Sequence, residues 1–438
     1  MKHFLHLLPL LLFGLLTSLS ASAKPQEPFK PLRLTRSCRL NLFQPTNPKY
    51  AGVNLGSIAR ADLSKSILIP DKSVLDQGRI GSCWIEATLG RFEREAEKLF
   101  GRPIPMSENH MILATLFYRI EEGLYFGNEI FDGGWAHASE WMAEHIGLVP
   151  QDAFKPKIDL RSTGVGEETI AHLNREIIKY QDDLAKLKKT KKTPKEVWDF
   201  TQSKKSELFK YIRNRFGNFP SSFKVDGIKY TPHSFAKKIL ADREHDVLSY
   251  IEPTEPRITP KLPDMPVSGI TREKSLFNQV PAATEFLPVT KAKLAPDGKS
   301  LMEQAYLLAS RSGMEGVEDL KMPFSKMHNE IAESIEKGEP VHVSVWMAPD
   351  YYREDTGVMS LSAFGGDAKI AKNAKIEGGH AILITGVYRD PSSKVVGYRI
   401  QNSWGKEAGD LGYFYMDIDY FESFMVDIQI LRAPQKRR

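Results

Sequence analysis

The 438 residues include 60 lysines and arginines against 55 aspartates and glutamates, which gives a formal net charge of +5. With both signs plentiful and no domain-wide basic excess, the composition argues against a dedicated nucleic-acid-binding protein. Only two cysteines occur, so the fold is not a disulfide scaffold, and the length allows two or three domains around conventional apolar cores.

The N-terminus has the pattern of a secretory signal. Lys2 and His3 precede an apolar run from Phe4 to Leu16, and Ala21-Ser22-Ala23 resembles a cleavage site of the A-x-A type. The apolar run is shorter than the roughly 20 residues that a transmembrane helix needs. We therefore expect residues 1–23 to be a signal peptide cleaved after Ala23, and a periplasmic or secreted protein without stable membrane insertion.

Residues 24–62 are rich in proline and polar residues, which favours an extended arm or a short pro-segment. This segment carries Cys38, and the second cysteine of the chain is Cys83. A disulfide between the two would silence Cys83 and could act as a redox latch. The alternative is a free Cys38 in an ordered arm.

Residues 63–155 carry helical patterns. One helix is predicted from Cys83 to about Phe100, a second behind Ser107, and a third from about Trp135 to His145 after a turn at Asp132-Gly133-Gly134. A helix that begins at Cys83 points the positive end of its dipole at the thiol, which favours the thiolate.

Four side chains of the third predicted helix recur at helical spacing, namely His137, Glu140, Glu144 and His145. They could present two imidazoles and two carboxylates on one face, as a metal site does. No zinc signature with an open coordination position accompanies them. We therefore interpret them as a polar helix surface and expect no metal.

Residues 156–335 are predicted to be mostly helical. The lysine-rich segment 186–192 is interpreted as a solvated turn between two long charged helices. The chain becomes proline-rich from about Glu252 to Asp297, which suggests surface loops. The predicted helices are Glu167–Lys188, Pro194–Phe216, a short helix after Thr231-Pro232, and Pro323–Lys337.

Residues 336–438 change to strand patterns. A helical half followed by a β half predicts an α+β fold with a cleft between the halves, a common place for a substrate. The predicted strands are Val341–Trp346, Ala381–Tyr388, Val396–Gln401, Gly412–Met416 and Met425–Leu431.

The most informative motif surrounds Cys83. Gln77 lies six residues before this cysteine, and Trp84 follows it directly. A thiolate that attacks a carbonyl creates a negatively charged oxygen, which needs hydrogen-bond donors already in place. The Gln77 side-chain amide and the backbone N–H of Cys83 could supply two such donors.

Two later motifs complete a catalytic set. His380 follows two glycines at the start of an apolar strand, and Asn402 follows the next strand in the run Gln401-Asn402-Ser403-Trp404-Gly405. Cysteine, histidine and asparagine give a nucleophile, a base and a residue that orients the base. Trp404 is predicted to shield Asn402 from water.

These motifs resemble the papain superfamily of cysteine peptidases. The spacing from Gln77 to Cys83, the run Gly81-Ser82-Cys83-Trp84 and the run Asn402-Ser403-Trp404-Gly405 match its pattern in order. The resemblance implies a papain-like fold of two lobes, with the cysteine in a helical lobe and the histidine and asparagine in an antiparallel β lobe. It also implies hydrolysis of a peptide or protein substrate through a Cys83 thioester, without a metal or an organic cofactor.

In papain-like clefts the segment after the paired glycines borders the substrate. Gly133, Gly134 and Trp135 are therefore candidate substrate contacts, together with Trp404. The alternative for the first three is a simple turn followed by a core tryptophan.

The separation of Cys83 and His380 indicates the branch of the superfamily. These residues lie 297 positions apart, against roughly 130–150 in ordinary papain-like chains. An inserted region, residues 156–335, accounts for the difference. This layout resembles the bleomycin hydrolase (aminopeptidase C) branch, whose landmarks are matched by residues 106–110, 132–134 and 215–220.

Three features depart from that branch, which is typically intracellular and has a long C-terminal tail in the cleft. This chain carries an export signal. Only a few residues, ending in 434–438, follow the last predicted strand, which favours endopeptidase action and leaves the oligomeric state open. Glu86 stands where the branch has an aromatic residue. It is either solvent-facing or locally paired, or it lies near the sulfur, where it would raise the pKa of the thiol.

Two other functions stay open at this point. An amidase or acyltransferase could use the same triad and resolve the thioester with an acceptor other than water. A catalytically inactive papain-like binding protein could reuse the cleft, and Glu86 and the Cys38 disulfide are the features that favour it.

Overall fold

The computed structural model describes residues 32–33, 50, 52–72, 74–123, 125, 129–130, 132–134, 136–190, 192–241, 247–255 and 317–432. The predicted signal peptide, Cys38 with its possible disulfide, Trp135 and most of the proline-rich stretch lie outside these residues. Among the described helices, none is long and apolar enough to cross a membrane.

The helices of the first half form one packed layer around α1, which carries Cys83 at its first position. The bounds of α1 and α5 agree with the sequence prediction. In chain order the helices are α1 (Cys83–Phe100), α2 (Glu108–Glu122), α3 (Ala136–His145), α4 (Val165–Lys189), α5 (Pro194–Phe216), α6 (Pro232–Leu240), α7 (Phe324–Glu336), α8 (Ala368–Ala371) and α9 (Ile418–Phe424).

Local capping fixes three of these helix starts. Ser107 Oγ accepts a hydrogen bond from the His110 N–H at 3.2 Å where α2 begins. Thr193 starts α5 and Thr231 starts α6, each in a reciprocal capping box with the residue three positions later. The helix starts predicted at 107, 193 and 231 are therefore confirmed. They could be predicted because the capping residues lie next to the helices in the sequence.

The second half is built on one large sheet. Its strand order is β6-β5-β13-β7-β10-β11-β12-β9-β8, with β2 added beside β10 and β1 beside β2, and β3 and β4 form a separate hairpin. The strands are β1 (Leu32–Arg33), β2 (Ile67–Leu68), β3 (Phe223–Val225), β4 (Ile228–Tyr230), β5 (Val247–Pro253), β6 (Val317–Met322), β7 (Val341–Met347), β8 (Tyr352–Arg353), β9 (Val358–Met359), β10 (Gly378–Arg389), β11 (Val395–Gln401), β12 (Tyr413–Asp417) and β13 (Met425–Arg432).

The middle of the sheet is antiparallel, and β10 is its central strand. β10 pairs with β7 on one side, where His380 lies opposite Val345, and with β11 on the other. Strands β5 and β6 were not predicted. β5 pairs antiparallel with β13, and β6 pairs parallel with β5, so this part of the inserted region extends the main sheet.

Two apolar cores lie on either side of the junction between helices and sheet. The helical core buries Trp84, Leu89 and Phe92 of α1 against the surrounding helices. The sheet core is separate and packs the strands against α7 and α9. Ala381 of β10 belongs to the helical core, so the start of this strand packs directly on the lobe that carries Cys83.

The chain just before α1 is tied to the loop after β11. The Gln77 N–H donates to the Ser403 carbonyl at 2.8 Å, and the Gly405 N–H donates to the Leu75 carbonyl at 3.0 Å. These backbone bonds bring the segment that precedes Cys83 against the segment that follows Asn402. The fold thus gathers residues that are more than 300 positions apart in the sequence.

Candidate active site

Cys83 is the first residue of α1, where backbone N–H groups have no partner within the helix. It is a free thiol. The backbone N–H groups of Ala381 and Trp84 face its sulfur. Since Ala381 directly follows His380, the structure brings the thiol beside the start of the strand that carries the predicted base.

The hydrogen bonds of Asn402 determine which nitrogen of His380 carries the proton. Asn402 Oδ1 lies 2.8 Å from the Ser403 N–H and 2.8 Å from His380 Nε2. A backbone N–H is a donor, so the amide atom that it contacts must be the oxygen. The oxygen can only accept, so Nε2 of His380 must be the donor, and in the neutral ring Nδ1 keeps its lone pair for a proton from the thiol.

Trp404 covers this histidine. Its ring stacks on the imidazole with the centroids 4.8 Å apart and the planes 28° apart. An edge-on contact with Phe414 at 5.6 Å holds the indole in place. His380 and Asn402 are both buried, so the hydrogen bond between them is protected from water.

The amide of Gln77 is oriented in the same way. The Ser403 hydroxyl donates to Gln77 Oε1 at 2.6 Å, and Gln77 Nε2 donates to the Ile80 carbonyl at 2.7 Å. A primary amide has two N–H bonds, so one of them is left for another acceptor. Gln77 therefore keeps one N–H for another acceptor, and its role as an oxyanion donor stays a prediction.

Burial shifts the pKa values of both Cys83 and His380. It raises the pKa of the Cys83 thiol to about 11, although the N–H groups of Ala381 and Trp84 act in the opposite direction. It lowers the pKa of His380 to about 4, although the bond to Asn402 acts to raise it. At neutral pH these shifts correspond to a protonated thiol at Cys83 and a neutral imidazole at His380.

Glu86 lies inside the protein, so the solvent-facing interpretation of this residue is wrong. Its side chain shares a face of α1 with Leu89 and Glu93, and that face is packed. Locally it is paired, because Ser82 Oγ donates to Glu86 Oε1 at 3.3 Å. Burial, followed by the charge of Glu108, raises the pKa of Glu86 well above its usual range. When ionised, Glu86 raises the pKa of the Cys83 thiol.

The paired glycines lie beside the tryptophan that follows Cys83. A Cβ added at Gly134 would lie 2.5 Å from the Trp84 ring, and the Gly133 carbonyl accepts a hydrogen bond from Arg119 at 2.6 Å. These contacts explain the glycine at 134 by packing. Its predicted contact with substrate, like that of Gly133, Trp135 and Trp404, stays a prediction.

Two residues that support the site were not singled out from the sequence. Ser403 orients the amides of both Gln77 and Asn402, and Asp132 accepts from the Gly81 N–H at 2.7 Å and from Trp84 Nε1 through its carbonyl at 3.1 Å. Both stand inside motifs recognised in the sequence. Ser403 and Asn402 are neighbours in the chain, but the partners of Asp132 lie 48 or more positions away and Gln77 lies 326 positions from Ser403. No local pattern could reveal these long-range bonds.

Two of the four polar residues on α3, Glu140 and His145, have partners among the described residues. Glu140 is buried and forms an ion pair with Arg91 of α1. His145 stacks on Trp141 with the ring centroids 4.3 Å apart. Glu140 therefore does not lie on the polar helix surface that was predicted, because it compensates a buried guanidinium.

Comparison with known proteins gives consistent matches. Residues 289–434 match the Peptidase C1-like family. Aminopeptidase E of Lactobacillus helveticus is 21% identical over 410 residues, which cover 82% of this chain and 80% of that protein. Aminopeptidase C of Lactobacillus delbrueckii subsp. lactis is 22% identical over 419 residues, which cover 85% of this chain and 82% of that protein.

A shorter match is more similar. Cysteine proteinase 1, mitochondrial, of Saccharomyces cerevisiae (strain JAY291) is 34% identical over 101 residues. This match covers 20% of the chain and spans only about a fifth, 21%, of the length of that relative.

Among solved structures, the crystal structure of pepw from Lactobacillus rhamnosis HN001 superposes with a TM-score of 0.60 at 17% identity, covering 88% of this chain and 85% of that one. The fold is thus the papain-like α+β fold. With the family match and the two aminopeptidase relatives, the chain is similar to papain-superfamily cysteine peptidases of the aminopeptidase C branch.

Proposed function

We propose that this chain hydrolyses peptide bonds through a thioester on Cys83. The observation that carries the proposal is the hydrogen bonding of Asn402, which leaves Nδ1 of His380 as the acceptor for the thiol proton. The start of α1 adds free backbone N–H groups at the same point. Together these features supply a nucleophile, a base and an oxyanion site.

In the first half of the reaction the Cys83 sulfur attacks the peptide carbonyl carbon while its proton moves to Nδ1 of His380. The carbonyl oxygen becomes an oxyanion, which accepts hydrogen bonds from the Cys83 N–H and the Gln77 amide. The tetrahedral intermediate collapses to a thioester, and the C–N bond breaks. The leaving amine takes the proton from His380.

In the second half water attacks the thioester carbonyl and gives a proton to His380. The C–S bond breaks, the carboxylic acid product leaves, and the proton returns to the Cys83 sulfur. Asn402 holds the imidazole plane during both proton transfers, and Trp404 keeps water away from that hydrogen bond.

Peptides with a free N-terminus are the proposed substrates. The two relatives that match most of the chain are named aminopeptidases. The alternative is endopeptidase action. Hydrolysis of matched peptides with free and blocked N-termini under reducing conditions separates the two activities. Cleavage of the free-ended peptides alone supports aminopeptidase action, and equal cleavage of both supports endopeptidase action.

Export is the second part of the proposal. It rests on the charged start, the apolar run and the Ala21-Ser22-Ala23 site of the first 23 residues. N-terminal sequencing of the protein recovered from the periplasm or medium tests it. We expect the mature chain to begin at Lys24, and an intact Met1 in the cell interior would contradict export.

Substitution of the triad tests the chemistry. We expect Cys83→Ala to abolish peptide hydrolysis, and Asn402→Ala to weaken it without removing it, because the imidazole stays in place but loses its orienting bond. The buried Glu86 is the feature that favours an inactive binding protein. In that case a thiol-directed epoxide would not label Cys83 preferentially and no peptide would be cleaved.

A further inference from the structure

A small cavity lies behind the triad. It has a volume of about 10 Å³, and its walls come from α1, from β10 at Ala381–Leu383, and from the loop at Asn402 and Ser403. Glu86 is the α1 side chain that brings an ionisable group to it. The cavity therefore joins the carboxyl group of Glu86 to the residue that orients His380.

The Asn402 amide nitrogen, Nδ2, takes no part in the hydrogen bonds to His380 and Ser403. Its oxygen serves both His380 and Ser403, whereas its Nδ2 is buried and has no acceptor among the described residues. The residue is only 3% exposed. A buried amide N–H without a partner is unfavourable, so a partner in the cavity is expected.

Glu86 shows the complementary feature. Its Oε1 is engaged by Ser82, while its Oε2 is buried without a donor among the described residues, and the side chain is 3% exposed. One orphaned donor and one orphaned acceptor thus belong to side chains that line the same cavity. A cavity of about this volume holds roughly one water molecule when two or more polar groups can bind it.

We propose that Glu86 is a positioning residue of the active site, and that it holds the Asn402 amide through one buried water. The water accepts a hydrogen bond from Asn402 Nδ2 and bonds to Glu86 Oε2, which donates to the water when the carboxyl group is protonated and accepts from it when the group is ionised. The amide is then fixed at both ends, by Ser403 at its oxygen and by the water at its nitrogen. The inference rests on the proposed function, because it assigns a role within that mechanism.

The surroundings of Glu86 explain how a carboxyl group is tolerated three residues after the nucleophile. Burial and the charge of Glu108 favour the protonated form. Arg161 reduces this effect, but it is also shared with Glu108 and Asp159, with which it forms ion pairs. A neutral carboxyl group can bind the water while adding no negative charge beside the Cys83 thiolate.

The test is a double-mutant cycle measured on peptide hydrolysis. Glu86→Leu keeps the volume but removes the acceptor, and we expect kcat to fall about tenfold with KM changed less than about twofold. Glu86→Gln keeps a polar group for the water and should stay within about threefold of the parent. In an Asn402→Ala background, Glu86→Leu should lower kcat by less than about twofold, since its partner is already gone.

Glu93→Leu is the matched control. Glu93 is another buried glutamate of α1, but its Oε1 accepts from the Met106 N–H, away from the cavity. We expect its effect on kcat to be small and to add to that of Asn402→Ala. Circular dichroism establishes which variants fold. A high-resolution crystal structure of the parent tests for the water directly, even if Glu86→Leu does not fold.

Three results would overturn the inference. They are an unchanged kcat in folded Glu86→Leu, additive effects of Glu86→Leu and Asn402→Ala, and a crystal structure without a water bridging the two side chains. Peptide hydrolysis by Cys83→Ala would instead overturn the proposed function. If the parent cleaves no peptide, the rate of Cys83 alkylation by iodoacetamide measures the same cycle, with the same coupling expected.

Discussion

Ser403 links the two amides on which the proposed chemistry depends. Its backbone N–H fixes the oxygen of Asn402, and its hydroxyl fixes the oxygen of Gln77. The first bond sets the tautomer of His380. The second fixes the orientation of the Gln77 amide, so that its nitrogen can donate to the proposed oxyanion. One residue therefore couples the base to the oxyanion site.

Removing the hydroxyl separates these two roles. We expect Ser403→Ala to lower kcat/KM by about tenfold, less than the 10²–10³-fold loss of an oxyanion donor, because Gln77 stays present but loses its orientation. The bond to Asn402 persists, since it comes from the backbone. Ser344→Ala is the control, because it removes a hydroxyl on β7 that donates to Asp427 of β13. An equal loss in both variants would contradict the role of Ser403.

The pKa of His380 sets the acid limit of activity. Burial lowers this pKa to about 4. Protonated His380 cannot accept the thiol proton, so kcat/KM should rise as the pH increases through about 4 and then level off toward neutral pH. A pH–rate profile from pH 3 to 8 measures this limb, and a midpoint near the ordinary histidine value of about 6.5 would contradict the buried neutral base.

Helix α1 is positioned by the contacts of its residue Trp84. This side chain is buried in the helical core, its ring faces Gly134, and its indole N–H donates to the Asp132 carbonyl. Asp132 also accepts from the Gly81 N–H. The turn at 132–134 thus holds both sides of Cys83 in sequence.

A side chain at position 134 should disturb this packing. In Gly134→Ala the new methyl group would lie 2.5 Å from the Trp84 ring, and we expect the free energy of unfolding to fall by about 1–3 kcal/mol. Urea unfolding followed by tryptophan fluorescence measures the change. Gly378→Ala is the control, because a Cβ there meets nothing within 4 Å, and equal losses in both variants would argue against the Trp84 contact.

An element could be predicted from the sequence when the residues that determine it are neighbours in the chain. The bounds of α1 and α5 and the caps at Ser107 and Thr193 could be predicted because the deciding residues are neighbours in the chain. β5 could not, because it is a short segment stabilised by pairing with β13, about 180 positions later. Its proline-rich continuation also favoured a loop.

The same distinction applies to the site. Cys83, His380, Asn402 and Gln77 could be singled out as candidates because each stands in a short motif with a chemical meaning. The burial of Glu86 was not, since it depends on what packs over one face of α1 in the folded protein. The motifs could predict which groups react, whereas the hydrogen bonds that orient these side chains required the structure.

For the whole molecule, the important feature is the junction between the helices and the sheet. Gln77 and Cys83 come from one side, and His380 and Asn402 come from the other. Backbone bonds between residues 75–77 and 403–405 hold the two sides in register. In the described part of the inserted region, α4 and α5 pack on the helical side and β5 extends the sheet at a distance from β10.

In the proposed mechanism, the two sides of the junction form one catalytic unit in which the substrate acylates Cys83. The most direct measurement is rapid-quench mass spectrometry with an activated ester of an amino acid, in the parent and in Cys83→Ala. In the parent we expect a transient mass increase of one acyl group on the peptide that contains Cys83. In Cys83→Ala we expect no such increase. Turnover without acylation of Cys83, or turnover by Cys83→Ala, would contradict it.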